Sequence, residues 1–365
     1  MRPLPLFKIG PVIILLFLFS CAFGAHWLAE NIHVPGISND IFRWLILAGT
    51  ALAVSALYRL IPVSISFFFK QRQLRLAGIM ADLNAGIAAT IHPCSAQAAH
   101  ALANQAEIAR ELLLFSKAQQ LGEKALNTAT AWAQFVNTPV PNSGSAIGKK
   151  VLEANLSQQK TNSADIVALC HESLAGTLLD MGQYDEALNH ARNAVAIADE
   201  GITNTEISHP TQRIRWVFIL ISALSLKGRV KMTQGAHDEA RADLERAVSL
   251  IPQLNGQFSE FITSAYAYLA STYSMQGENE KAERAISAGL NMIEGSTMPL
   301  FELTKATLLQ HQGECLIRNG RTEETGICLN KCLQIRQKLL AKDHPEIDAI
   351  AETFGRSSGS FQHSG

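Results

Sequence analysis

Small residues recur at one fixed spacing around short breaks in the helical pattern of this sequence. In "SLAGTLLDMGQYDEALNHARNA", Ala175 is followed by Gly182 seven residues later, by Ala187 after five more, and then by Ala194. The frame recurs in three later stretches, with Gly228, Gly235, Ala240 and Ala247; Ala270, Gly277, Ala282 and Gly289; and Gly313, Gly320, Thr325 and Cys332. Four occurrences of one frame predict four copies of one supersecondary unit, stacked in series.

Each unit is predicted to be a pair of α-helices joined by a tight turn. The central Gly suits the C-terminal end of the first helix, where the backbone needs a positive φ. The small residues on either side allow the two helices to approach closely. In the first unit Tyr184, Ala187, Ala191 and Ala194 are predicted to share the face that lies against the neighbouring helix. Because alternating β-branched runs are few, we predict an all-α fold from about residue 76 onward.

This frame resembles the tetratricopeptide repeat, and the spacing of about 42 residues between the last three units is similar to the kinesin-light-chain-type variant. The resemblance covers about residues 164–355 and is weaker at 99–126, where Leu113 stands in place of the turn Gly. It implies an α-α superhelical solenoid in which the first helix of each unit lines a concave groove. Lys227 and Gln312 depart from the family pattern, because they stand where it usually has Leu.

Two apolar stretches precede the repeats. The first comprises the 21 uncharged residues between Lys8 and Glu30, and the second runs from Trp44 to Phe69. At about 1.5 Å per residue, each is long enough to cross a hydrocarbon layer about 30 Å thick. We therefore predict an N-terminal hairpin of two transmembrane helices, at about 9–29 and 42–61. Residues 63–69 are expected near the membrane interface.

Basic residues flank this hairpin on the side of the two chain termini. Arg2 and Lys8 precede the first stretch and Lys70 and Arg72 follow the second, whereas the short connection carries a single Arg. By the positive-inside rule, both termini and the repeat domain are expected in the cytoplasm, with the protein integral to a plasma or inner membrane. Two alternatives stay open for the first stretch, which are cleavage as a signal peptide and lipidation at Cys21.

The sequence therefore divides into four regions. These are a membrane region at 1–75, a helical region at 76–163 with a degenerate repeat and a loop at 137–148, repeats at 164–355 with a terminal capping helix, and a disordered tail at 356–365. The 31 Lys and Arg residues balance 32 Asp and Glu residues, so no net positive charge favours nucleic acid as a partner. Six cysteines without a CxxC pair are typical of free thiols in a reducing compartment.

No group of residues predicts catalysis or cofactor binding directly. Residues 170–172 (Cys-His-Glu) are consecutive, and neighbours on a helix point in different directions, so they cannot form a nucleophile and base pair. One alternative is a metal-dependent sensor or enzyme. His311 with Cys315, and Cys328 with Cys332, are two i, i+4 pairs on adjacent antiparallel helices, which is the spacing of a four-ligand zinc site. Against a metal, a buried Cys also serves as a small apolar residue in a helix contact.

The predicted function is that of a membrane-anchored scaffold or adaptor, which binds a protein or peptide partner in the concave groove. No enzymatic activity, cofactor or metal is predicted, and the lipid bilayer is the second expected partner. A further alternative is a docking subunit of a membrane transport or secretion complex. The resemblance implies that the groove is lined by Glu172, Arg229, Ser271, Ser274, Gln310, Glu314 and Arg318.

Overall fold

The structure of the protein is a computed structural model that describes residues 61–62, 64–65, 68, 73–91, 95–137, 146–204, 210–256, 260–295, 298–340 and 344–350. Within these ranges the chain forms α-helices, one 3-10 helix and turns, and no strand. The all-α prediction is therefore confirmed for this part of the chain. The helices group into two compact units, whose boundary lies between Phe135 and Val136.

The first unit contains α1 (Leu74–Ile91), α2 (Ala96–Glu111) and nearly all of α3 (Phe115–Asn137). The second unit contains four helix pairs, which are α4 (Ala146–Asp180) with α5 (Tyr184–Asn204), α6 (Pro210–Thr233) with α7 (His237–Leu250), α8 (Glu260–Met275) with α9 (Asn279–Met292), and α10 (Pro299–Arg318) with α11 (Thr322–Leu339). We call α4, α6, α8 and α10 the first helices, and α5, α7, α9 and α11 the second helices. A 3-10 helix, Ile251–Leu254, follows α7.

No helix in the described ranges is both long and apolar enough to cross a bilayer. The predicted transmembrane helix at 9–29 lies entirely outside these ranges. The one predicted at 42–61 also lies outside them, except for Ile61. The predicted tail at 356–365 also lies outside them.

In the first unit, α1 and α2 pack in antiparallel directions. A Cβ on Gly78 of α1 would lie 3.7 Å from Ile108 of α2, and the amide of Gln105 donates to Asp82 at 2.5 Å. A residue one turn further along α1 therefore contacts a residue one turn earlier on α2. One buried apolar cluster of this unit includes residues from the stretch that precedes α1, and its members are Ile61, Ile65, Ala77, Ala81, Ile87 and Ile108.

The degenerate repeat at 99–126 forms the same kind of turn as the stronger units. Leu113, between α2 and α3, has a φ of 59°, and the turn glycines of the later units have φ values from 71° to 78°. The Leu113 N–H donates to the Arg110 carbonyl, and the next N–H reaches back to Ala109. Gly182 and the residue after it repeat these two bonds with Leu179 and Leu178. Leu113 thus occupies the turn position that the sequence frame assigns to Gly.

The frame of small residues coincides with the contacts between paired helices in the second unit. The positions five and twelve residues after the turn Gly are all buried, and they are occupied by Ala187 and Ala194, Ala240 and Ala247, Ala282 and Gly289, and Thr325 and Cys332. Tyr184 differs from the prediction. Its side chain is 41% exposed, because it begins α5 and lies beyond the helix contact that Ala187 starts.

Side-chain sizes are complementary across three of the four helix pairs. A Cβ on Gly228 of α6 would lie 2.6 Å from Cγ of Leu244 on α7, and a Cβ on Gly313 of α10 would lie 2.7 Å from Cδ2 of Leu329 on α11. The corresponding position of α4 is Ala175, and its counterpart on α5 is Ala191; both are fully buried. A Gly therefore faces Leu in two of the pairs and an Ala faces an Ala in the first, whereas in the α8 and α9 pair Ala270 packs in one cluster with the larger Ile286.

The boundary predicted at 163/164 falls inside a continuous helix. α4 runs from Ala146 to Asp180 and also includes the last three residues of the predicted loop at 137–148. The physical reason is that α4 contains no Pro and only two glycines, which do not interrupt its hydrogen bonds. At the other end, the predicted capping segment is helical at 345–350 and buries Ile350 against Ala306, Leu309 and Cys332.

Candidate partner-binding surface

The seven predicted groove residues all lie on first helices. Glu172 lies on α4 and Arg229 on α6, and the others are Ser271 and Ser274 on α8 and Gln310, Glu314 and Arg318 on α10. They are spread over four consecutive units because the frame places equivalent positions about one repeat apart.

Several of these side chains connect one first helix with the next. The Ser222 hydroxyl on α6 donates to the Glu172 carboxylate on α4. The Arg318 guanidinium on α10 donates to the Ser274 hydroxyl on α8 at 2.6 Å. Polar contacts of the predicted groove residues therefore link α4 with α6 and α8 with α10.

Arg229 contacts the helices on both of its sides. Its guanidinium donates to Asp180 at the end of α4 at 3.1 Å, and its Cζ lies 5.7 Å from the ring centroid of Tyr268 on α8. The cation is thus held by an ion pair on one side and an aromatic face on the other. Sequence reasoning did not identify Tyr268, although it precedes Ser271 by one helical turn and so belongs to the same face of α8.

The exposure of these residues differs more than the sequence predicted. Ser271 and Ser274 are almost fully buried, because each lies between neighbouring helices. Arg318 is exposed, and Met275 at the end of α8 is 46% exposed. Of the predicted groove residues on α8 and α10, Arg318 is therefore accessible to solvent, whereas Ser274 is covered and bonded to it.

Glu314 stays ionised despite its partial burial. Burial acts to raise the pKa of its carboxyl, but hydrogen bonds from His311 and Gln310 and the positive charge of Arg318 outweigh burial and lower the pKa. The His311 Nδ1 lies 3.1 Å from one carboxylate oxygen, and the Gln310 amide lies 2.9 Å from the other. The α10 part of the surface therefore carries one fixed negative charge close to one positive charge.

The alternative zinc site is not formed. In the described ranges no three His, Cys, Asp or Glu side chains converge in a way that could hold a metal ion. The antiparallel register places Cys332 beside Ala306 and Leu309, while Cys315 lies near Asn279 of α9. His311 instead pairs with Glu314 on its own helix.

The chemistry of the cysteines agrees with this arrangement. Burial raises the pKa of Cys315, Cys328 and Cys332, the last to about 11. A thiol binds metal as the thiolate, the form that burial disfavours here; Cys315 and Cys332 are buried as small side chains, and the half-buried Cys328 donates to Gln312.

The triplet at 170–172 is dispersed, as predicted. Cys170 is buried, with its pKa raised by burial to about 12, and Glu172 accepts from Ser222. His171 approaches His190 of α5 with 2.8 Å between the two Nδ1 atoms. Burial, and then the repulsion of His190, lower the pKa of His171 to about 4. Both rings can share one hydrogen bond only while at least one of them is neutral.

Known proteins resemble this chain in sequence over two repeats and in fold over nearly its whole length. Residues 167–198 and residues 221–254 each match the family profile of the tetratricopeptide repeat. No curated protein matches the sequence. A Rap protein complexed with Competence and Sporulation Factor is similar in structure, with a TM-score of 0.51, 13% identity and 97% of each chain covered.

Two further structures show weaker similarity. BtubC (BKLC) from P. vanneervenii has a TM-score of 0.46 at 14% identity, over 76% of this chain and 92% of its own. Aspartyl phosphate phosphatase F from Bacillus subtilis has a TM-score of 0.36 at 13% identity, over 100% of this chain and 96% of its own. At sequence identities this low, the similarity concerns the fold alone.

Proposed function

Because this chain is a tetratricopeptide-repeat protein, we propose that it is a membrane-anchored scaffold that binds a protein or peptide segment along its first helices. The observation that carries the proposal is the series of side-chain contacts that joins α4 to α6, α6 to α8 through Arg229 and Tyr268, and α8 to α10. The Rap protein, whose fold is similar, is complexed with Competence and Sporulation Factor, and this supports a binding role for the present chain.

The charges on this surface are suited to selecting a partner rather than to supplying most of the affinity. Arg229 already pairs with Asp180, so an acidic side chain of the partner would exchange one ion pair for another. Such an exchange contributes little net free energy, about 0–1 kcal/mol for a pair that is partly exposed. Affinity would come mainly from apolar contacts with Met275 and with the ring of Tyr268.

We place the repeat domain on the cytoplasmic side of a plasma or inner membrane, held by the two apolar stretches that precede it. This part of the proposal rests on the length of these stretches and on the basic residues that flank them. A reporter fused after Gly365 should report the cytoplasm, and a tag inserted within residues 31–38 should be accessible from the opposite side. A tag at 31–38 that is protected in intact cells would contradict the hairpin.

Partner binding is tested by co-purification with the intact chain and with a chain that lacks residues 146–350. For each protein that co-purifies only when the repeats are present, the amount captured is then compared between two double variants. Arg229→Gln with Arg318→Gln changes the proposed surface, and Arg246→Gln with Arg284→Gln changes two exposed arginines on second helices. Gln is used because a carboxylate at position 229 would face Asp180 and destabilise the fold.

The first double variant should weaken capture about tenfold, which corresponds to about 1.4 kcal/mol for two partly exposed contacts. The second should leave capture unchanged, and both should keep the helix content of the parent chain. Equal capture by both double variants would show that the partner binds elsewhere on the chain.

A further inference from the structure

The sequence contains two Asn-Gly pairs, and the structure places them in different environments. Asn255-Gly256 follows the 3-10 helix after α7, and Asn319-Gly320 lies in the turn between α10 and α11. In such a pair the backbone nitrogen of Gly can attack the side-chain carbonyl carbon of Asn, because Gly has no side chain that obstructs the approach. Both pairs have this chemistry, so their surroundings determine which of them reacts.

Hydrogen bonds hold the second pair in its turn. The Gly320 N–H donates to the Ile317 carbonyl at 3.0 Å, so the attacking nitrogen is already engaged. The Asn319 side-chain nitrogen donates to the Cys315 sulfur at 4.0 Å, and the side-chain oxygen accepts from Asn279 of α9. Because the turn must open before the ring can close, this pair is protected.

The first pair lacks these restraints. Asn255 and Gly256 are both exposed, and a Cβ on Gly256 would meet nothing within 4 Å. In the part of the chain that the structure describes, neither the Asn255 side chain nor the Gly256 N–H forms a hydrogen bond. At its ψ of 40°, Asn255 must undergo a rotation of the following peptide before the ring can close. No hydrogen bond of the Gly256 N–H opposes that rotation.

We propose that Asn255 is a site of spontaneous deamidation through a succinimide. The Gly256 nitrogen loses its proton to hydroxide and bonds to Cγ of Asn255, while the side-chain nitrogen takes a proton from water and leaves as ammonia. Water then opens the ring at either carbonyl and produces aspartate or isoaspartate. The net reaction consumes a water molecule and releases ammonia, and each product adds a negative charge between α7 and α8.

Isoaspartate would also change the connection between the second and third helix pairs. Leu254 and Ile262, on either side of the Asn-Gly pair, are fully buried in the same apolar cluster. In isoaspartate the main chain passes through the side-chain carbons of the former Asn and becomes longer. The modification therefore lengthens a connection whose two ends are fixed by packing. It does not depend on the proposed binding function.

The test follows both Asn-Gly pairs in the purified full chain during incubation at mildly alkaline pH and physiological temperature. Samples are digested at acidic pH, which stops succinimide formation, and mass spectrometry quantifies aspartate and isoaspartate at positions 255 and 319. Incubation in water enriched in heavy oxygen distinguishes newly formed product from product already present. A parallel incubation in guanidinium chloride measures both positions without the fold.

Position 255 should deamidate at least about tenfold faster than position 319 in the folded chain, which corresponds to about 1.4 kcal/mol for opening the turn at Gly320. In guanidinium chloride the two rates should be similar. Asn255→Gln should abolish the acidic form that isoelectric focusing detects, because Gln must close a larger and less favourable ring. Asn319→Gln, the matched control, should leave that acidic form unchanged.

Equal rates at the two positions of the folded chain, or a slower rate at position 255, would overturn the inference. A difference of the same size in guanidinium chloride would also overturn it, because the flanking sequence and not the fold would then be its cause. Both measurements use the parent chain, so they do not depend on the folding of either variant.

Discussion

Gly228→Ala should destabilise the repeat domain, although Ala normally stabilises a helix. In a helix interior Ala is favoured over Gly by about 0.5–1 kcal/mol. Here the added Cβ would lie 2.6, 3.0 and 3.2 Å from Cγ, Cδ2 and Cδ1 of Leu244, which is fully buried. Overpacking of this kind costs about 1–3 kcal/mol, so a net loss of about 0.5–2 kcal/mol is expected.

The size of the residue that faces position 228 should decide whether Gly228→Ala destabilises or stabilises the domain. Leu244→Ala alone leaves a cavity and should cost about 2–5 kcal/mol. In that background Gly228→Ala recreates the Ala pair found at Ala175 and Ala191, so it should stabilise by about 0.5–1 kcal/mol. The two changes should therefore be coupled by about 1–3 kcal/mol.

Urea unfolding of the four chains, followed by the circular dichroism of their helices, measures this coupling. Gly326→Ala serves as the matched control, because a Cβ on this α11 glycine would meet nothing within 4 Å. The control should stabilise the chain by about 0.5–1 kcal/mol. If Gly228→Ala stabilises as much as the control, or if its effect is the same with and without Leu244, the close contact does not determine stability.

Five other substitutions test the frame, the turn and the buried ionisable groups. Ala187→Trp and Ala240→Trp should each destabilise by at least about 1–3 kcal/mol in urea, since both positions are fully buried; neutral variants would mean that the frame is shifted. Leu113→Gly should raise the free energy of unfolding by about 1 kcal/mol by relieving a positive φ, and an unchanged melting temperature would contradict this. The pKa of His171 falls from 6.5 to about 4 on folding, so its contribution to stability is lost as the pH falls through that window, and His171→Gln should flatten this acid dependence. The pKa of Asp165 rises from 3.8 to about 6, chiefly by burial, which lowers stability as the pH rises between those values; Asp165→Asn should therefore steepen the acid loss, and equal urea midpoints for variant and parent at pH 4 to 7 would refute it.

The helical hairpins could be predicted from the sequence because their determinants are local. The frame consists of a turn Gly and small residues seven positions before it and five and twelve positions after it. All of these positions lie within one pair of helices, and the residue size that each one allows depends only on the closest neighbouring helix. Leu113 was recognised as standing in place of a turn Gly, and the structure shows the same positive φ there. The frame also predicted that Cys332 is a buried small residue, which agrees with its position against Ala306 and Leu309.

The partners of long polar side chains could not be predicted in this way. Lys227 and Gln312 depart from the family pattern, and each meets a polar residue on the paired second helix. The Lys227 ammonium lies 2.9 Å from Asp243, and the Cys328 thiol donates to Gln312 at 3.4 Å. Nothing in the sequence linked these residues, because a long side chain can reach several positions on the facing helix.

Contacts between units were decided by the tertiary structure alone. The residue before a turn Gly contacts the start of the preceding second helix: Gln234 donates to Asp185 at 3.0 Å, Gln276 donates to Asp238 at 2.7 Å, and Asn319 accepts from Asn279. Arg229 is paired with Asp180, which lies 49 residues earlier in the chain. The sequence alone thus determined which residues form helices, turns and close helix contacts, because these follow from spacing within one unit. Which charges are paired and which remain accessible to a partner depends on the register between units, and that register exists only once the helices have stacked.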